Sequence, residues 1–135
     1  MKVAICISGI GRSIDYTFDN LKNNLIDCWD DRDVFYVLGE GEYSDKTIER
    51  FKKIERCNLS LYDQKDIDIG NMTMNYLNTN KIPKPTPQSI AKFVNKRVEL
   101  ANLLESSNEK YDMVIVSRDD VLYSNPVIDD VVDLD

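Results

Sequence analysis

The chain contains no histidine. That removes the imidazole from the roles it commonly fills, as general acid, general base and metal ligand. Cysteine is also scarce: Cys6, Cys28 and Cys57 are odd in number and lack metal-type spacing, which argues against zinc and for buried reduced thiols. Long apolar runs are missing. The run at the start, Val3 to Ile7, covers five residues before Ser8 and Gly9 break it, too short for a signal-peptide core or a membrane span, so a cytoplasmic protein is expected. Positive charge is in deficit, with 17 Lys and Arg against 24 Asp and Glu. The net charge of −7 and the scattering of the cations argue against nucleic acid or an anionic membrane as partner. An anionic small molecule would need local compensation. The full GxGxxG dinucleotide fingerprint is absent as well, because Gly9 and Gly11 are followed by Ile14 where a third glycine belongs. No Gly-Lys-Ser/Thr follows, so the loop is not a P-loop either.

What remains is an ordinary globular composition, 42% hydrophobic and 30% charged over 135 residues, with no internal repeat and no linker. One domain covering residues 1–135 is the simplest division. Val3 to Ile7 reads as a strand buried on both faces, followed by the loop Ser8-Gly9-Ile10-Gly11-Arg12-Ser13. Ile14, Phe18, Leu21, Leu25 and Cys28 or Trp29 then make one helical stripe, with Ser13 placed to cap it. Val34 to Leu38 is a second buried strand, Ser44 to Glu55 a second helix, and Leu59 to Tyr62 a short edge strand. Helical crossovers between strands predict an α/β fold, Rossmann-like, with a mostly parallel sheet and helices on both faces.

Residues 65–88, rich in Asn and Pro, predict an irregular segment in which Met72, Met74, Tyr76 and Leu77 fold back as a short helix. A long helix follows over residues 89–106. Within it, Arg97 falls inside the apolar stripe, where it must snorkel or reach a carboxylate or phosphate; Lys92 and Lys96 read as solvated.

The strongest candidate site begins at Met113 to Ser117, a run that reads as another strand buried on both faces and leads directly into Arg118, Asp119 and Asp120. Adjacent carboxylates at the carboxyl end of a parallel strand lie where open α/β sheets bind ligands. A turn built from Asp119, Asp120, Asn125 and Pro126 is the bland alternative. In the functional reading, Asp119 and Asp120 hold Mg²⁺ or Mn²⁺, while backbone N–H groups of the Ser8 to Ser13 loop and the charge of Arg12 meet a nucleotide phosphate.

The segments KVAICISGIGRS and YDMVIVSRDDVLY, in that order and with the intervening strand DVFYVL, resemble a group of glycosyltransferase-like proteins of large DNA viruses, bacteria and plants. These begin with a strand, a Ser-Gly-x-x-Arg loop and a helix, and later carry a Tyr-Asp strand ending in an Arg-x-Arg-x-Asp-like segment. The resemblance implies a GT-A type nucleotide-sugar-binding fold, transfer of a sugar from a UDP- or GDP-linked donor to a glycan or glycoprotein acceptor, and metal assistance. It implies donor binding by Ser8, Gly9, Ile10, Gly11, Arg12, Arg97, Arg118 and Asp119, and metal binding by Asp120 with Asp119. For a viral member the compartment would be the host cytoplasm. Val116 stands where the first Arg of the pattern is expected, and Arg118 takes the first acidic position of a strict DxD, so a metal-independent arrangement also fits. The family's acceptor-binding elements usually follow the Asp motif, and fifteen residues follow Asp120 here. The chain therefore corresponds to a donor-binding half, either an enzyme, a catalytically inactive nucleotide-binding module or an assembly protein, with a homodimer or partner chain completing the site.

Overall fold

The computed structural model describes residues 1–70 and 86–131. The expected fold-back of Met72 to Leu77 lies outside them. Four strands, β1 (Lys2–Gly9), β2 (Asp31–Gly39), β3 (Cys57–Tyr62) and β4 (Met113–Arg118), form one sheet in the order β3-β2-β1-β4, and every pairing is parallel. Between them lie α1 (Ile14–Leu21), which runs on into a π-helical turn at Lys22–Ile26, then α2 (Ser44–Phe51) and α3 (Pro87–Ser106); α4 (Val127–Val131) follows β4. This is the α/β arrangement expected.

Strand order explains where the helices go. From β1 to β2 to β3 the chain steps one way across the sheet, and right-handed crossovers put α1 and α2 on one face. From β3 it crosses back over β2 and β1 to reach β4, so the same handedness puts α3 on the opposite face. Side-chain alternation sorts the core accordingly. Val3, Ile5 and Ile7 of β1 and Val34, Tyr36 and Leu38 of β2 pack with Ile14, Leu21, Leu25 and Phe51 on the first face. Ala4, Cys6, Phe35 and Val37 meet Leu100, Leu103 and Leu104 of α3 on the second. Each fully buried Ile or Leu stabilises the fold by about 2 kcal/mol, and most of them lie on the first face.

Two local expectations are corrected. Ser13 does not cap α1 through its side chain; its backbone carbonyl accepts from the N–H groups of Tyr16 and Thr17 at 2.9 and 3.1 Å. The strand at Met113–Arg118 is not buried on both faces: Val114 and Val116 are 45% and 49% exposed. β4 is an edge strand among the described residues, and α3 lies over β1 and β2, so that within those residues the second face of β4 is only partly covered.

Candidate functional site

In a parallel sheet the cleft for a ligand opens where successive connections leave in opposite directions, at the carboxyl ends of the two strands concerned. Here those strands are β1 and β4. A cavity of about 270 Å³ lies at that point. Ser8, Gly9, Ile10, Arg12 and Ser13 line it from the β1 side, and Arg118, Asp119 and Asp120 from the β4 side. Its third wall is α3, through Ser89, Phe93 and Lys96, which recur at intervals of four and three and so form one stripe of the helix. The structure thus brings together six of the eight predicted donor-site residues, together with Asp120. Gly11 sits within the same loop, with its N–H turned to Asp119.

Asp119 is the brace of the cleft. Its side chain is buried, 4% exposed, and one carboxylate oxygen accepts both the Gly11 N–H at 2.8 Å and the Tyr36 hydroxyl. Its backbone N–H donates to Ser8 O at 3.1 Å, and its carbonyl accepts from Thr17 Oγ1 at 2.7 Å. The residue therefore ties β4, the β1 loop, α1 and β2 to one point. Glycine is required on both sides of it. A Cβ on Gly9 would lie 2.0 Å from the Asp119 carboxyl carbon, and Gly11 has φ +74° with Thr47 Oγ1 2.3 Å from where a Cβ would be. Burial pushes the Asp119 carboxyl above the usual carboxylate range, against the opposing pull of the Tyr36 and Gly11 hydrogen bonds. Burial, reinforced by the charge of Asp119, drives the Tyr36 hydroxyl far up, so it remains a donor at any ordinary pH.

Asp120 has a different environment. It is exposed and pairs with Arg118, Nη2 to Oδ2 at 2.6 Å. The two adjacent carboxylates thus serve different partners, and among the described residues no three acidic or thiol side chains converge as a metal site. Asp119 Oδ2 is engaged by two donors and Asp120 Oδ2 by a guanidinium. Among the described residues these two carboxylates do not form a preassembled set of oxygens for the expected Mg²⁺ or Mn²⁺.

Lys96 was expected in solvent, yet it is only 8% exposed. Four residues before the buried Leu100, it shares that residue's sheet-facing side of α3, and its ammonium lies 5.6 Å from the centroid of the Tyr62 ring. Among the described residues no carboxylate stands within ion-pair distance of it. Burial lowers its pKa, while the field of Asp119 acts the other way. Arg97, placed by the sequence near the Asp119 and Asp120 edge, does not line this cleft. One residue on, and so about 100° around the helix, it faces a separate apolar groove floored by Val114 and Val116, with its guanidinium 5.0 Å from the Phe93 ring centroid and Nε without a partner. Ser89, Phe93 and Lys96 could have been found from their helical spacing. Tyr36 carried a weaker signal: a hydroxyl inside a buried apolar strand needs an acceptor.

Among the described residues no helix is long and apolar enough to cross a membrane. No protein-family model, curated protein or solved structure matches the chain.

Proposed function

We propose that the chain is a nucleotide-sugar-binding domain of the glycosyltransferase kind, holding a UDP- or GDP-linked donor in the cleft between the ends of β1 and β4. The observation that carries this reading is Lys96, a largely buried lysine with no carboxylate partner among the described residues, lining the cavity at the point in a parallel sheet where ligands bind. A buried cation without a counter-ion is costly, and a diphosphate would supply one. Arg12 and Arg118 add positive charge on the other two walls. Phe93 and Ile10, 42% and 37% exposed, offer an apolar surface for the flat face of a nucleobase.

In this reading the phosphate charge is met by Lys96, Arg12 and Arg118 rather than by Mn²⁺ or Mg²⁺, and Asp119 positions the loop instead of ligating a metal. Asp120 holds Arg118 in place. Sugar transfer to a glycan or glycoprotein would then require a base or acceptor surface beyond the cleft residues. The engagement of both carboxylates favours a second reading, a module that binds the donor without catalysis. Isothermal titration with UDP and GDP, in Mn²⁺ and again in EDTA, tests the binding claim. Binding that persists in EDTA is expected; binding that requires Mn²⁺ would restore the metal site, and none in either would remove the nucleotide. Release of free sugar or a glycosylated product from the bound donor separates the enzyme from the module.

A further inference from the structure

The two edges of the sheet are unlike. On its second face, the side of α3, β3 presents Asn58 and Ser60, whereas β4 presents Val114 and Val116, half exposed and without a charge, proline or bulge among residues 113–117. Soluble proteins blunt open edges with charge, proline or bulges, because an open apolar edge is a template for another strand. Among the described residues no strand pairs with the outer side of β4.

We propose that this edge pairs with a second copy of itself: two β4 strands run antiparallel about a twofold axis through Ile115, joining the two four-stranded sheets into one. Charge selects both the occupant and the register. When the axis passes through Ile115, residues whose numbers sum to 230 stand opposite one another and point to the same face. Val114 then faces Val116 of the other copy, Asp112 faces Arg118, and Lys110, just beyond the strand, faces Asp120. Each opposition occurs twice by symmetry. Shifting the axis one residue earlier sets Lys110 against Arg118. One residue later sets Asp112 against Asp120. Only the Ile115 register, of these three, is complementary in both charge and apolar contact. It also brings Lys110 of the second copy to Asp120 at the cleft rim, so association would compete with Arg118 for that carboxylate and alter the charge available to an anion.

Charge variants of the full chain test the register. Analytical ultracentrifugation of the unmodified protein is expected to show dimers at concentrations up to about 0.1 mM, the range of a modest edge contact. Lys110→Glu alone sets glutamate against Asp120 twice, and Asp120→Lys alone sets lysine against Lys110 twice. Each should weaken self-association by about tenfold. Mixed one to one, the two variants restore opposite charges at both positions, and a heterodimer should form. Circular dichroism melts confirm that each variant is folded. A monomer throughout the concentration range would overturn the proposal, as would dimers indifferent to both variants or a mixture that fails to associate.

Discussion

Asp33, near the start of β2, and Asp119, just past the end of β4, are both buried, at 9% and 4% exposure, but at opposite ends of the sheet. Asp33 is surrounded by cations and a hydroxyl. Arg56 Nε donates to it at 2.6 Å, Tyr111 Oη at 2.6 Å, and Lys2 Nζ lies 3.9 Å away. Burial would raise its pKa, but these partners together outweigh burial and hold it below the usual carboxylate range. Asp119 receives only neutral donors, and burial prevails. The amino end of the sheet therefore has its charges locally balanced, whereas the carboxyl end keeps a buried carboxylate and a buried ammonium, Lys96, that are not paired with each other. Local balance serves stability; residual charge at the end where parallel sheets bind ligands is what an ionic ligand can use.

The largest break in this comparison is expected from Asp119→Ala. It leaves the Tyr36 hydroxyl and the Gly11 N–H buried without their acceptor, which should cost about 3 kcal/mol in urea unfolding and open the cleft. Asp33→Ala should cost less, about 2 kcal/mol by the same measurement, because Arg56 is 45% exposed and can be hydrated when its partner is lost. The variants Asp119→Asn and Asp33→Asn should then separate the two ends by the sign of their pH dependence. Asp119 has a raised pKa, so its contribution is most favourable below the unfolded carboxylate range near pH 4 and is lost as pH rises through the folded value. Asp33 has a lowered pKa, so its contribution is present above that range and lost as pH falls through the folded value. Relative to the unmodified chain, Asp119→Asn should gain stability as pH rises above about 4, whereas the deficit of Asp33→Asn should grow as pH rises toward about 4 from below and then stay constant. Parallel slopes for the two variants would contradict the contrast.

Much of this architecture was legible in the sequence. The β-branched runs at Val3–Ile7 and Val34–Leu38 gave away the buried strands because strands covered on both faces are continuously apolar. The same rule misled at Met113–Arg118, where the apolar composition is equal but the strand lies at an edge; composition does not record which neighbour is missing. For the site, the sequence places Asp119 and the Ser8 to Arg12 loop at the same edge of the sheet, but not the hydrogen bonds by which Asp119 holds that loop. Adjacent carboxylates look identical in sequence, and only the fold turns Asp119 inward to Tyr36 and Asp120 outward to Arg118. Lys96 lines the cleft and Arg97 does not, for a similar reason. They are neighbours on one helix, and a rotation of about 100° decides which faces the cleft. The capping box that begins α3, in which Thr86 and Ser89 each accept the other's backbone N–H, fixes where the helix starts and with it that rotation.

Lys96 is where the functional account is most directly exposed. Lys96→Met keeps the stem length and removes the charge, so the fold should be retained with equal or greater stability, since burial of the ammonium is relieved. Titration of both proteins with UDP and GDP in EDTA is the deciding measurement. The account predicts binding by the unmodified chain and at least about a tenfold loss of affinity in Lys96→Met, the scale of one charge-assisted contact to phosphate. Equal affinity for the two proteins would contradict it.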